Sequence, residues 1–347
     1  MKNYSLNLAV LAAVLLASTA VAADQSDTNR LNRFGFSARV GFGVTAKFKS
    51  LGRLSLAPPR TMPNGDAFNY DDGYVLTDVS GNSGDQTWYW GYDGSDQISG
   101  DTILMHRSTV LPNLNSAQGR SDDVPNLGGE LTYNRELATF GRWRFGLEAA
   151  VNFMTFGLDD RRPLMGNVSR LTDTYPFTPG TTPPIAPPTY QGSYDGPEFV
   201  IGATPTSSTT LFVPNGATIT GQRKYDADIW GFRLGPYAQI ALCTNVDLTL
   251  SAGLAAGLVC DSASWNETIN ITGGGTATSI GRGSDTGLLL GGYASAKATW
   301  HLSERWSLDG GVQFQSLGVY NHSLGGRKVE LDLSKSIFIV VGLGYSF

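Results

Sequence analysis

The sequence predicts an all-β fold, an up-and-down antiparallel β-barrel that crosses a membrane, and three observations carry that expectation. Eight stretches alternate large apolar residues with small or polar ones at period two, the spacing of a strand with one apolar face. The connections between them alternate short and long, as expected when one end of a barrel bears tight turns and the other bears long loops. After the N-terminal region no apolar run approaches the ~18 residues of a membrane-crossing helix, so strands must do the crossing. Eight strands are expected, with ten or twelve as the alternative if the long connections add pairs to the wall.

In chain order, Arg33 to Phe48 sets Phe34, Phe36, Ala38, Val40, Phe42, Val44, Ala46 and Phe48 on one face against Gly35, Ser37, Arg39 and their successors on the other. A polar segment rich in Asp follows, 49–125, in which 87–92 and 102–107 are expected to form a hairpin. Strands at 126–138 and 142–158 are joined by Thr139-Phe140-Gly141, and the proline-rich connection 159–224 is expected to be loop with short hairpins at 198–203 and 209–213. Strands at 225–242 and 246–261 are joined by Cys243-Thr244-Asn245, with a bulge expected at Pro236. A polar, glycine-rich link at 262–285 leads to strands at 286–302 and 305–320, and a link at 321–329 leads to the terminal strand ending in Phe347. Trp143, Trp300, Trp306 and Phe347 form one expected aromatic girdle, and Phe48, Trp230 and Tyr320 the other.

Strand parity points Arg39, Glu130, Glu148, Arg233, Lys297 and Asp309 into the lumen, where an eight-stranded barrel is filled by side chains and opposite charges must pair. Glu148 is expected to pair with Arg39 or Lys297. In the first long segment Trp88, Tyr89, Trp90 and Tyr92 are candidates for recognising an extracellular protein or glycan, or for packing the segment over the barrel mouth. A catalytic reading has His322 beside Ser323, with Asp309 and Asp332 on flanking strands, and His106 and His301 elsewhere; adjacency in sequence does not place a base on a nucleophile. Asp71, Asp72, Asp93, Asp96 and Asp101 lack the spacing of a calcium loop, and Gly273-Gly274-Gly275 lacks the Lys-Ser/Thr of a phosphate loop. No catalytic, cofactor or metal residues are assigned.

Residues 1–22, with Lys2, an apolar run from Leu6 to Ala17 and Ala20-Val21-Ala22, match a secretory signal peptide, leaving 23–347 as the exported barrel. Cys243 and Cys260 lie near opposite ends of one expected strand, too far apart for a disulfide, and are expected to be free. A net charge of −5 gives no footprint for nucleic acid. With the terminal Tyr345-Ser346-Phe347, the chain resembles the small bacterial outer-membrane barrels of the OmpA and OmpX type, without a periplasmic wall-binding domain. The resemblance implies an outer-membrane location, lipid around the wall, and Phe347 as part of the signal read by the barrel-assembly machinery. It leaves three expectations for activity: a surface-binding protein acting through 49–125 and 159–224, a porin-like channel, or an enzyme at the barrel rim.

Overall fold

The computed structural model describes residues 31–51, 53–57, 67–77, 84–111, 125–184 and 199–347; the expected signal peptide and Glu198 lie outside them. Eight strands close a ring: Asn32–Phe42, Asn126–Phe140, Trp143–Asp160, Ser207–Cys243, Val246–Ile271, Thr276–His301, Trp306–Ser316 and Ser336–Ser346, called here the first to eighth barrel strands. Each is antiparallel to the next. The eighth closes on the first from Arg33↔Ser346 to Phe42↔Ile337. Further strands from the long connections join the sheet outside this ring, so the wall stays at eight.

The wall is uneven. The first, seventh and eighth strands have 11 residues each, whereas the fourth has 37 and the fifth and sixth have 26 each. The stretch expected as a polar link, 262–285, is strand on both sides of a turn at 272–275. The reason is an inversion of pattern along the fifth strand. Low on the wall its outward residues are Leu248, Leu250, Ala252 and Leu254, and its inward ones Asp247, Thr249 and Ser251. Above Asp261 the outward residues are Ser262, Ser264 and Asn266, while Ala263, Ile269 and Ile271 are buried inside. An outside that is apolar low down and polar above means that the strand passes from lipid into water.

The first expected strand is interrupted. Gly43 sits at φ +75°, open to glycine at little cost, and turns the chain inward, so that Val44, Ala46 and Phe48 are buried rather than outward. Thr45–Leu51 then pairs with Arg327–Asp332, which pairs with Val319–Leu324, and this three-stranded lid covers the tall end of the ring. The expected strands at 305–320 and 329–347 therefore each split, their outer parts going to the lid. Tyr320 is buried with Phe48, which removes both from the expected upper girdle; Trp230 stays partly exposed against Phe153, 4.7 Å away.

The expected loop hairpins also differ. Trp90–Tyr92 pairs with Gly73–Leu76, and Thr102–Val110 pairs with Leu164–Pro176, so 87–92 and 102–107 are not partners. Residues 209–213 belong to the fourth strand, whose outer part pairs with Leu164–Pro176. At Pro236 the register runs unchanged from Leu234↔Leu254 to Tyr237↔Ser251. A proline that lacks only its N–H forfeits a bond without needing an extra residue, so no bulge forms. Cys243 and Cys260 are free.

Candidate functional site

Inside the ring, alternation delivers charges from five strands to one level. Arg233 Nη2 donates to Glu130 Oε1 (2.6 Å) and Nη1 to Glu148 Oε1 (3.1 Å). Lys297 Nζ donates to Glu148 Oε2 (2.5 Å), and Arg39 Nη1 lies 3.3 Å from Glu130 Oε2. Five of the six predicted lumen charges thus form one chain of ion pairs, and Glu148 takes Lys297 rather than Arg39. Two aromatic faces, absent from the sequence expectation, hold the guanidinium groups: Phe338 under Arg39 (3.9 Å) and Tyr293 under Arg233 (4.5 Å). The sixth, Asp309, sits lower and pairs with Arg33 and Thr299. A further group at that end joins Arg144, Gln239 and His301 on Asp247, His301 Nε2 lying 2.7 Å from the carboxylate. The inward parity of Asp247 was the available signal for it.

Above the ion pairs the lumen turns apolar. Met154, Phe156, Ile229, Val259, Leu317 and Phe338 are buried in one contiguous core with Val329 and Leu331 of the lid. Side chains therefore fill the ring in two layers, one charged and one apolar, with the lid above.

The outer surface shows where the wall meets lipid. Phe153, Trp230, Leu258 and Leu288 are directly paired across four strands, and the next outward positions along them are Thr155, Asp228, Cys260 and Thr286. Below that row the outside is apolar and exposed, with Phe36 at 69%, Leu254 at 75% and Leu290 at 74%. At the end with short turns Trp143, Trp300, Trp306 and Phe347 face outward and exposed, as predicted. A closed ring with an apolar outside leaves no sheet edge of the wall open to lipid. The chain folds as an outer-membrane β-barrel.

No protein-family model matches the sequence, and no curated protein matches it. Similar solved structures include the outer membrane protease OmpT from Escherichia coli, at 11% identity and a TM-score of 0.36, covering 93% of this chain and 99% of that one. The outer membrane protein OprG from Pseudomonas aeruginosa is similar at 11% identity and a TM-score of 0.29, covering 92% and 99%. Ail of Yersinia pestis, in complex with the heparin analogue sucrose octasulfate, is similar at 10% identity and a TM-score of 0.27, covering 91% and 99%. The closed ring and the outer belt of this chain carry the barrel assignment.

The parts of the outer-membrane barrel beyond the belt form a folded head. Trp90 and Tyr92 are fully enclosed in its core with Tyr70, Val75, Ile103, Met105, Tyr175 and Ile201, which removes these two from the recognition candidates and leaves Trp88 and Tyr89 partly exposed. Tyr70 donates to Asp173 (2.5 Å) and meets the Tyr175 hydroxyl (2.7 Å); burial pushes both phenols well above their usual range. Asp71 and Asp72 close an open sheet edge. Ser108 N donates to Asp71 Oδ2 (2.6 Å) and His106 N to Asp72 Oδ1 (2.8 Å), between the two short strands that flank Thr102–Val110. Among the described residues no three His, Cys, Asp or Glu side chains gather as a metal site.

Each histidine meets one aspartate. His106 lies 2.6 Å from Asp72, His301 2.7 Å from Asp247, and His322 2.9 Å from Asp261. His322 lies on the lid strand Val319–Leu324 with its side chain buried, Asp309 is paired to Arg33 at the opposite end of the lumen, and Asp332 accepts from Ser334, so the residues of the predicted rim catalyst are not brought together.

Proposed function

We propose that this outer-membrane barrel is a non-enzymatic surface protein, a closed scaffold that presents an extracellular head for binding another protein or a glycan. The observation that carries the reading is the filling of the lumen: buried ion pairs and an apolar layer occupy the width that a solute would need. The chemistry open to a partner lies outside the belt. Trp88 and Tyr89 offer partly exposed aromatic faces. Ser207–Gly216 carries no charge and is exposed along most of its length, including Leu211 at 63% and Phe212 at 55%. Among the described strands it pairs on one side only before Ala217, a backbone edge to which an extended segment of a partner can add.

Replacing residues 54–110 and 164–219 by short turns should leave a folded barrel that no longer supports cell-surface or partner binding. Trp88→Ala, Tyr89→Ala and Leu211→Lys, made singly in the full chain, should weaken binding without changing heat-dependent gel mobility. Planar-bilayer recording of the intact protein should show no large, stable conductance. Such a conductance would replace this reading with the porin-like one.

A further inference from the structure

The fourth barrel strand begins, at its outer extremity, with a bare edge. Before Ala217 it is paired with Leu164–Pro176 alone among the described strands. Pro214 has no N–H and Asn215 stands at φ +52°, so the part of the edge that can take up a regular ladder is Ser207–Val213. This stretch carries no charge, and its character changes at Thr210: Ser207, Ser208 and Thr209 are small and hydroxylic, whereas Leu211, Phe212 and Val213 are large and apolar.

An edge that meets a copy of itself across a two-fold axis pairs antiparallel. Centred on Thr210, such a pair sets Leu211 opposite Thr209, Phe212 opposite Ser208 and Val213 opposite Ser207. Each large side chain then packs beside a small one, and no like charges meet. Both faces have room for the added strand. Ser208 is paired with Asp173, on the face that bears Tyr70 and Tyr175 of the head's core, yet Thr210 and Phe212 on that same face are exposed. The core therefore stops short of the edge.

The course of the strand decides where the second copy lies. Leu164–Pro176 is one strand paired from Leu164↔Ile219 to Thr174↔Ser207, so the edge continues the line of the wall below it. The wall stands upright in the membrane, and the two-fold axis of an antiparallel pair is perpendicular to its sheet. That axis lies along the membrane plane and turns the second barrel upside down. At ~3.3 Å per residue and a tilt of about 40°, Thr210 stands roughly 50 Å above Trp230 at the upper limit of the belt.

We propose that Ser207–Val213 pairs with the same edge of a second copy of this chain anchored in an apposed membrane, so that the protein joins two surfaces. The inference rests on the surface-binding reading above and names the partner of its exposed edge. A ladder along one short edge falls below the ~1,200 Å² of stable interfaces, so a single pair is weak. Many copies facing one another across a contact add their pairs together.

The test uses the full chain folded into phosphatidylcholine vesicles, with clustering read by turbidity and the spacing of apposed bilayers by electron cryomicroscopy. Protein-bearing vesicles should cluster with one another above a threshold density, at a spacing of roughly 100 Å, twice the height of Thr210 above the belt, and should not recruit bare vesicles. Thr210→Asp or Thr210→Lys, carried by every vesicle, puts like charges directly opposite at the axis and should abolish clustering. Vesicles bearing Thr210→Asp mixed with vesicles bearing Thr210→Lys should cluster again. Both substitutions alter an exposed side chain and should keep heat-dependent gel mobility. Dispersed vesicles at every density of the unaltered protein, recruitment of bare vesicles, clustering unchanged in both variants, or a mixture of the two that stays dispersed would each overturn the proposal. A protein that leaves vesicles dispersed yet binds a different protein or a glycan through its head would overturn this inference and leave the surface-binding reading standing.

Discussion

At Glu148, burial decides how much a single side chain matters. Its side chain is fully enclosed and faces two cations, Arg233 and Lys297. Glu148→Ala leaves both without that partner, and the expected loss is about 3–5 kcal/mol for a fully buried pair, less where water enters. Urea unfolding of Glu148→Ala, Lys297→Met and the double variant should show coupling between the two positions, and additive losses would reject it. Asp71 gives the opposite case. Burial pushes its carboxyl above the ordinary carboxylate range, although Ser108 donates to it. A carboxyl that is raised in the folded state gains protons there first. Its contribution therefore favours the folded head increasingly as pH falls through the raised value, and levels off below the unfolded one. Proteolysis of the head between about pH 4 and 7 should show this difference between the wild type and Asp71→Asn, the variant having lost that part of the pH dependence.

Among the elements, the legible parts of the sequence were those with one solvent on each face. The eight wall segments showed their period because lipid demands apolar residues at every second position. The tall extensions were hidden because the apolar face changes sides along the strand, from Leu254 outside to Ile269 inside, and a polar exterior reads as loop. Gly43 hid the lid for a related reason: apolar alternation continues through it from Phe42 to Phe48 while the backbone changes direction. The charge network was legible by parity, but the pairing of Arg39 with Glu130, and the separation of Asp309 from the others, depend on the height of each strand in the ring. Trp90 and Tyr92 could not be told from an exposed recognition patch, since a head with its own core needs the same aromatics. Gly43→Ala tests the turn into the lid. Its added Cβ would lie 2.5 Å from the Lys335 carbonyl oxygen at φ +75°, whereas Gly84, at φ +61°, has nothing within 4 Å. The left-handed backbone alone costs about 1 kcal/mol or slightly more. Gly84→Ala should lose about that much stability and Gly43→Ala clearly more, as read by urea midpoints of the folded barrel.

For the whole molecule, the ring makes a prediction independent of the head. A closed wall in which every strand has two neighbours resists detergent until heated, so unheated and boiled samples should migrate differently on SDS gels. Removal of Phe347, which packs at 5.5 Å on Phe34 of the first strand, should reduce the amount in the outer membrane by more than one exposed rim side chain explains, as measured in membrane fractions.

The closure of the eighth strand on the first also sets an order in time. Residues 32–42 are made before the other seven wall strands, yet one of their two neighbours is the eighth, and Arg33 must wait for Ser346. Contacts between such distant parts of a chain form slowly. Until then the growing sheet keeps two open edges, whose N–H and C=O groups have no place in lipid. A chain cut short anywhere before 336 can never close them. The ring therefore ties the satisfaction of its first strand to the arrival of its eighth.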